Sequence, residues 1–366
     1  MDWNIYENPK LNFEPFCKIE FDSRSLDFNL YGNLKDCGCN RVRVNSRSLP
    51  YYPNCTFIDG GSINGLQISN ISQDVDLSGF WKLEKIAGRL VITNTNIQNL
   101  SFLANLETID MSSSSVYDII YITDNPKLKS LGFDSLKNLK SNENEDRLSV
   151  YLAGNHPNFC ISIHELQLFA DNEVNFELLL SGTEICRNWE QNDKEKICEF
   201  VDLKAMDLDC RRIVGNVVVN SSNENDAWRL GNVTIIYGSI TVRSTEKLLD
   251  LSFLSNLEQV GATQYFVGGP LIQIKYNEKL QTVTLPKLKR LFPLYVDQVM
   301  EIKSNAFNIF KNKTECLAFQ KATKTIVEYN GSSCNKFKQT NSVESPGFHL
   351  SEIAFVTSTF YIWLHF

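Results

Sequence analysis

The sequence predicts a mainly β protein made of two tandem solenoid domains, and three observations carry this prediction. An eight-residue segment occurs twice, as LSFLANLE at 100–107 and, 151 residues later, as LSFLSNLE at 251–258. Short alternating apolar segments recur around each copy at intervals of 23 to 32 residues, which is typical of strands that stack rung upon rung. A polar residue follows these segments at a fixed distance in seven of the eight rungs. The chain therefore contains the same repeating unit twice.

Each predicted rung is centred on a triplet whose first and third residues are apolar, which is the pattern of a half-buried strand. The middle residue of each triplet should therefore point outward. The triplets begin at Leu66, Leu90, Ile120 and Val150 in the first half, and at Val217, Ile240, Ile272 and Met300 in the second half.

The polar column is interpreted as structural. A chain that turns the same corner on every rung buries backbone amides and carbonyls there, and an inward Asn can bond to the rungs on either side. Asn also tolerates the left-handed conformation that a tight corner requires. The column contains Thr95, Asn125, Asn155, Ser222, Thr245, Asn277 and Asn305, and Ile71 interrupts it.

Composition and charge exclude several functions. With 366 residues, of which 43% are hydrophobic and 22% charged, the chain can bury a large core in two or three domains. Its net charge of −7 disfavours a nucleic-acid partner. The sequence shows no basic arm, Gly-rich phosphate loop or zinc-type cysteine pair, so we predict neither a cofactor nor a metal.

The cysteines indicate an oxidising compartment. Residues 1–7 lack the basic start and apolar run of a secretory signal, but ten cysteines flank the rungs, where the open ends of a solenoid need caps. We therefore expect an extracellular protein whose natural precursor carries a signal that this chain lacks. The expected pairs are Cys160 with Cys186, Cys198 with Cys210, Cys316 with Cys334, and Cys55 with either Cys37 or Cys39, the other being left for Cys17. The sequence alone does not determine which cysteines pair. The alternative is that some of the cysteines are buried free thiols.

Seven glycosylation sequons are compatible with secretion. They begin at Asn54, Asn70, Asn99, Asn220, Asn232, Asn312 and Asn330.

Together these segments resemble the receptor L domain, the ligand-binding module of the insulin and epidermal growth factor receptors, and especially the tandem L-domain proteins of nematodes. The motifs that carry the resemblance are the Cys-flanked starts at 54–60 and 209–215, the strand Gly-x-Leu-x-Ile, Leu-Ser-Phe-Leu-x-Asn-Leu-Glu, Asn-x-Lys-Leu, and the closing segment 155–160. The resemblance implies two right-handed, leucine-rich-repeat-like β-helices with helical, disulfide-linked caps. The cap helices are expected at 161–172 and 315–329.

The resemblance also divides the chain. A Cys-containing flank that fits no rung occupies 1–48, the two L domains occupy 49–186 and 205–334, a short charged linker occupies 187–204, and a tail occupies 335–366. The receptors instead have a long cysteine-rich module between their L domains and a kinase after the second. Phe310 stands where the first half has Cys160, which places the disulfide of the second cap in doubt.

The tail allows three interpretations. Residues 353–366 are mostly apolar, but 14 residues are fewer than the roughly 20 that span a bilayer. Small and polar residues at 341–347 precede them, so the tail fits a cleaved lipid-anchor signal, a truncated membrane helix, or a terminus without such a role.

The outward strand positions favour binding over catalysis. In the first half, Val91, Tyr121 and Tyr151 should form an apolar and aromatic stripe, a typical anchor for a partner. In the second half the next outward positions, Arg243, Lys275 and Lys303, should form a basic column that contacts an acidic ligand or co-receptor. The alternatives are a stripe covered by a loop or the tail, and cations screened by Glu301 and solvent.

An enzyme is the less favoured alternative. Carbohydrate-cleaving β-helices align two carboxylates on neighbouring rungs, whereas the middle positions 241, 273 and 301 hold Thr, Gln and Glu. The histidines are too scattered for a metal site or a catalytic triad; they are His156, His164, His349 and His365.

The sequence therefore predicts a non-enzymatic extracellular protein that binds an insulin-like or epidermal-growth-factor-like peptide, or its receptor, as a decoy, carrier or co-receptor. The alternative is a structural or adhesion solenoid that binds matrix or glycans through the basic column.

Overall fold

The fold was described from a computed structural model. The residues that it describes are 2–16, 27–35, 38–39, 43–52, 54–60, 65–72, 75–112, 118–140, 148–175, 184–187, 195–261, 269–292 and 300–337. Cys17, Cys37, His349, His365 and the apolar tail lie outside these ranges.

The described part of the first unit is built from parallel strands that are contributed alternately to two sheets. The first two strands pair separately with each other. In chain order the strands are β1 (Asp2–Tyr6), β2 (Asp27–Tyr31), β3 (Arg43–Val44), β4 (Phe57–Asp59), β5 (Leu66–Ile71), β6 (Lys85–Ala87), β7 (Leu90–Thr95), β8 (Thr108–Asp110), β9 (Asp118–Thr123), β10 (Asn138–Lys140), β11 (Leu148–Ala153), β12 (Cys160–Ile161), β13 (Val174–Asn175) and β14 (Glu184–Ile185). One sheet has the order β13-β11-β9-β7-β5-β3, the other has the order β10-β8-β6-β4, and β12 pairs separately with β14.

The second unit repeats this alternation. Its described strands are β15 (Ile197–Glu199), β16 (Arg212–Val214), β17 (Val217–Val219), β18 (Ile235–Tyr237), β19 (Ile240–Arg243), β20 (Gln259–Gly261), β21 (Ile272–Lys275), β22 (Arg290–Phe292), β23 (Met300–Lys303), β24 (Val327–Tyr329) and β25 (Ser332–Ser333). The five-stranded sheet has the order β15-β16-β18-β20-β22, and the six-stranded sheet has the order β17-β19-β21-β23-β24-β25. Only the pair β24 and β25 is antiparallel among these described strands.

Helices are few in the described ranges. The α-helices are α1 (Ile163–Asp171) and α2 (Lys313–Thr323), and the 3-10 helices are Glu14–Phe16, Leu49–Tyr51, Ser78–Phe80, Ser101–Leu103, Glu224–Asn232, Ser252–Leu254 and Cys334–Lys336. The repeated Leu-Ser-Phe-Leu segments therefore form matching 3-10 turns in the two units. In each turn the Phe and the second Leu are buried.

Both predicted cap helices form, but with different limits. Helix α1 begins at Ile163, because Ser162 is its N-cap and forms a capping box with Glu165. Helix α2 starts earlier than expected, at Lys313, where Asn312 caps it. The expectation that this helix continues to residue 329 is wrong. Lys324 turns left-handed with a φ of 50°, and β24 follows.

The expectation that residues 1–48 fit no rung is also wrong at one point. Strand β3 pairs in parallel with β5, placing Arg43 beside Gln67 and Val44 beside Ile68. Val44 is fully buried in the core of the first unit. The flank therefore contributes the outermost strand to the sheet that carries the candidate stripe.

A polar ladder, defined as Thr95, Asn125 and Asn155 with their counterparts Thr245, Asn277 and Asn305, stabilises the corners. The side-chain oxygen of Asn125 accepts hydrogen bonds from the amide of Thr95 at 3.0 Å and from its hydroxyl at 2.6 Å. The Asn125 amide group donates to the carbonyl of Ile92 at 3.0 Å and to the side-chain oxygen of Asn155 at 3.1 Å. These bonds satisfy backbone groups inside the stack.

The second unit repeats the ladder, with Asn277 accepting from Thr245 and donating to Val242 and Asn305. Ser222 does not join it: its hydroxyl is exposed and donates to Asn220. The ladder residues also do not adopt the left-handed conformation themselves. The residue before each one does, with positive φ values at Asn94, Asp124, Gly154, Ser244, Tyr276 and Ser304.

The two units are packed together. The outward side of the five-stranded sheet buries apolar residues against the core of the first unit, namely Ile197, Val214 and Tyr237. The Tyr237 hydroxyl lies 2.8 Å from the side-chain oxygen of Gln167 in α1 and donates to it. Gln167 in turn donates to Gln259 at 2.9 Å, and Arg290 pairs with Asp171 at 3.3 Å. This sheet face of the second unit is therefore occupied by the first unit.

Candidate ligand-binding face

The six-stranded sheet of the first unit places the aromatic stripe (Val91, Tyr121 and Tyr151) in one row. Val91 lies opposite Tyr121 in the β7–β9 register, and Tyr121 lies opposite Tyr151 in the β9–β11 register. The flanking residues of each strand are buried in the core, so the row must face away from it. Those buried residues are Leu90, Ile92, Ile120, Ile122, Val150 and Leu152.

The two tyrosines form a stacked pair. Their ring centroids are 5.2 Å apart and the rings are inclined by 20°. All three stripe residues are partly exposed, and stacked aromatic rings lose little conformational freedom when a partner binds. The stripe is thus a rigid, partly open apolar surface.

Arg89 lies beside the stripe and was not singled out by the sequence analysis. Its guanidinium carbon is 5.9 Å from the ring centroid of Tyr121. Its Nε is buried and lacks a hydrogen-bond partner among the described residues. The signal in the sequence was its position two residues before Val91, which places it on the same face of the strand.

The basic column (Arg243, Lys275 and Lys303) also forms, with the three residues aligned across β19, β21 and β23. It is partly neutralised by Glu301, whose carboxylate lies 2.6 Å from the ammonium of Lys303 and 3.8 Å from that of Lys275. The hydrogen bond to Glu301, and then its negative charge, raise the pKa of Lys303 above its ordinary value. Arg243 is exposed and forms no ion pair with the described residues. Glu301 therefore screens Lys275 and Lys303, as the alternative interpretation of the basic column expects.

One expectation about carboxylates needs correction. The sequence analysis found no acidic pair on neighbouring rungs, but β24 places Glu328 directly beside Glu301. This pair was missed because residues 327–329 were assigned to a helix. Glu301 already binds two lysines of the basic column, so the pair lies within an ion-pair network.

The described histidines are not brought together with other candidate ligands. His156 is a turn residue whose Nδ1 accepts a hydrogen bond from the amide of Asn158 at 2.9 Å, and His164 is an exposed residue of α1. Within the described ranges, no group of three or more His, Cys, Asp or Glu side chains is placed to hold a metal ion.

Two buried carboxylates serve the backbone. Glu165 is 3% exposed and accepts hydrogen bonds from the amides of Gly132 and Phe133, in addition to its role in the capping box. Glu224 is 4% exposed and accepts from the amides of 246–248. Both tie a turn of one rung to the next, which is a structural task.

Disulfides close the ends of the units. The bridges in the described part are Cys39–Cys55, Cys160–Cys186, Cys198–Cys210 and Cys316–Cys334. Cys55 thus takes Cys39, leaving Cys37 and Cys17 outside the described residues. The Cys316–Cys334 bridge forms although Phe310 replaces a cysteine. Phe310 is buried and packs against the rings of Phe319 and Tyr329.

The sequons lie mainly on the surface. Asn220 is half-buried, and the exposed sites are Asn54, Asn70, Asn99, Asn232, Asn312 and Asn330. Among the described residues, no helix has the length and apolarity needed to cross a membrane.

The interface between the units is the largest feature that sequence reasoning missed. The signal was present, because Arg212–Val214 and Ile235–Tyr237 carry apolar residues on both faces of their strands, as strands buried on two sides do. Its partner, α1, lies far away in the sequence.

Comparison with known proteins agrees with this architecture. The family model for the Receptor L domain matches residues 54–172 and 209–327, well over half of the chain. Over 264 residues the chain is 28% identical to Protein irld-34 of Caenorhabditis elegans, and the alignment covers 69% of this chain and 63% of that protein. The chain thus spans less than two thirds of the length of this curated relative. Receptor L domains are ligand-binding, non-catalytic modules. The two matches coincide with the two duplicated units, and the chain belongs to the receptor L domain family.

Proposed function

We propose that the protein is a non-enzymatic extracellular ligand-binding protein whose aromatic stripe contacts an insulin-like or epidermal-growth-factor-like peptide, or the receptor of such a peptide. The observation that carries this proposal is the row of Val91, Tyr121 and Tyr151, in which two stacked rings remain partly exposed on one face of the sheet. Aromatic residues on a rigid surface are typical anchors of binding energy. In this proposal the protein acts as a decoy, carrier or co-receptor.

Two features support the remaining parts of the proposal. Disulfides at the ends of both units are typical of an oxidising compartment, which supports a secreted or surface-tethered protein. The parallel strands of each sheet are joined by connections that pass through the other sheet, and such connections are right-handed in nearly all proteins. We therefore also propose that each unit is a right-handed β-helix.

Binding to a panel of recombinant insulin-like and epidermal-growth-factor-like peptides, and to the ectodomains of their receptors, tests the proposal. For a partner that binds, the double variant Tyr121→Ala/Tyr151→Ala should weaken the affinity by roughly tenfold or more. Thr241→Ala is the control, because Thr241 is an outward strand residue of the second unit and corresponds to Val91 of the stripe. Unchanged binding to a well-folded double variant would refute the role of the stripe.

Salt dependence separates this proposal from the alternative of matrix or glycan binding through the basic column. A contact centred on the apolar stripe should weaken much less than a glycan contact on several cations when the ionic strength rises from about 50 to about 500 mM, because salt screens exposed charges within about 10 Å at 0.1 M and about 3 Å at 1 M. The pairing of Lys275 and Lys303 with Glu301 favours the stripe.

A further inference from the structure

Arg89 lies beside the aromatic stripe, and its Nε is buried, as is that of Arg229 in the second unit. The Nε of Arg89 has no acceptor among the described residues, and the contact of Arg89 with Tyr121 is a cation–π contact at 5.9 Å. A ring face attracts a guanidinium but does not replace a hydrogen-bond acceptor for every N–H group. A buried donor without an acceptor is costly, so such groups are rare in folded proteins.

The described neighbours of Arg89 in the sheet do not supply the missing acceptor. The β5–β7 register pairs Leu66 with Leu90, and the residue before Leu66, which lies against the backbone of Arg89, is Gly65. A Cβ atom there would lie 2.3 Å from the carbonyl oxygen of Arg89, so the position cannot carry a side chain. On the other side, Leu90 pairs with Ile120, and the residue before Ile120, Ile119, is apolar and fully buried.

From this geometry we infer that the ligand of the aromatic stripe presents a carboxylate next to an apolar or aromatic group, and that Arg89 binds this carboxylate. A guanidinium offers a planar set of donors that matches the two oxygens of a carboxylate. The apolar group of the ligand packs on Tyr121 and Tyr151, while its carboxylate accepts from the Nη groups of Arg89, whose side chain is partly exposed although its Nε is buried. This inference rests on the proposed function of the stripe and specifies the chemistry of its ligand.

Two lysines of the basic column differ from Arg89 in their ion pairing. Lys275 and Lys303 share the carboxylate of Glu301, so their charges are already compensated within the protein. Arg89 has no such carboxylate among the described residues. An incoming acid therefore gains a new ion pair at Arg89, whereas at the two lysines it must compete with an existing one.

Peptide display on the whole protein tests the inference while the natural ligand is unidentified. A library of random peptides, each about 12 residues long, is selected on the wild-type protein, and clones are retained if they lose binding to Tyr121→Ala/Tyr151→Ala. The retained peptides should be enriched in Asp or Glu near an aromatic or large aliphatic residue. Each is then synthesised with a free and with an amidated C-terminus, which separates a side-chain carboxylate from a terminal one.

A double-mutant cycle then couples the two charges. Replacing the peptide carboxylate by its amide, Asp→Asn or Glu→Gln, should weaken binding to the wild type roughly 10- to 100-fold, the range for one hydrogen bond to a charged group. The same replacement should have little effect on binding to Arg89→Gln. Arg89→Lys should retain part of the coupling, because it keeps the charge but loses the planar donors. The peptide substitutions leave the protein intact and so remain informative if an Arg89 variant folds poorly.

The outcomes are distinct. Stripe-dependent peptides without acidic enrichment, or with no coupling to Arg89, would overturn the inference and leave the binding role of the stripe standing. If every selected peptide binds Tyr121→Ala/Tyr151→Ala as well as the wild type, both the binding role of the stripe and the inference about Arg89 are overturned. Enrichment together with coupling of tenfold or more would support both.

Discussion

The polar ladder makes a quantitative prediction at Asn125, which is completely buried. Replacing it with alanine removes its four hydrogen bonds and leaves the amide of Thr95 and the carbonyl of Ile92 without their partners. An unsatisfied buried polar group costs about 1–3 kcal/mol. We therefore expect Asn125→Ala to lower the free energy of unfolding by about 3–5 kcal/mol, the low end applying if water enters the space.

The assay is equilibrium denaturation in urea, followed by circular dichroism with the disulfides intact. The control is Asn138→Ala, because Asn138 is exposed and its side chain makes one long hydrogen bond of 3.4 Å to Thr108. This control should change the stability by less than about 0.5 kcal/mol. Asn277→Ala should resemble Asn125→Ala, since Asn277 has the corresponding partners. A loss below about 1 kcal/mol for both ladder variants would refute the structural role of the ladder.

Three further predictions concern other parts of the structure. Glu224→Ala should lower the unfolding free energy in urea by about 2–4 kcal/mol, because three backbone amides lose their acceptor; an effect no larger than that of Asn138→Ala would contradict this. Tyr237→Ala should lower the melting temperature and split the melting curve into two transitions, whereas Tyr237→Phe, which loses only the hydrogen bond to Gln167, should keep one; a single transition in the alanine variant would show that this contact does not couple the units. Burial raises the pKa of Asp110, but hydrogen bonds from Ser112 lower it by more, so this pKa lies below its ordinary value of 3.8. The stability that ionised Asp110 contributes is present above pH 3.8 and is lost as the pH falls through the lower pKa of the folded state. Asp110→Asn should therefore make the free energy of unfolding fall less steeply with acid, and an unchanged fall would contradict this.

The duplication, the rung period and the outward rows could be predicted because they depend on local patterns. The alternating apolar residues that begin at Leu90 and Ile120 predict strands with one buried face, and the repeated Leu-Ser-Phe-Leu segments predict the same turn in both units. The end of α2 could not be predicted in this way, because residues 324–329 leave the helix through a left-handed Lys324 and then pair with β23. That pairing depends on a strand far away in the sequence.

At the candidate site, too, some features could be predicted from local sequence patterns and others could not. The row of Val91, Tyr121 and Tyr151 follows from strand alternation and the spacing of the rungs, so sequence alone places its members together. The state of Arg89 does not follow, because the missing hydrogen-bond partner depends on what the neighbouring strands place beside it. Likewise, the sequence offers screening by Glu301 as one interpretation of the basic column, but the ion pair of Lys303 depends on a side-chain rotamer that no spacing specifies.

The differences between the two units locate the binding face better than their similarities do. Both units share the ladder and the buried strand residues, so the demands of folding alone explain those features. At the outward positions they diverge. The five-stranded sheet of the second unit uses its apolar row, including Val214 and Tyr237, for contact with the first unit. Its six-stranded sheet carries charges that are largely paired through Glu301. Of these rows, the aromatic stripe of the first unit combines partly exposed rings with the partly exposed cation Arg89, which has no carboxylate partner among the described residues, and a peptide that carries an acidic group beside an apolar one matches both.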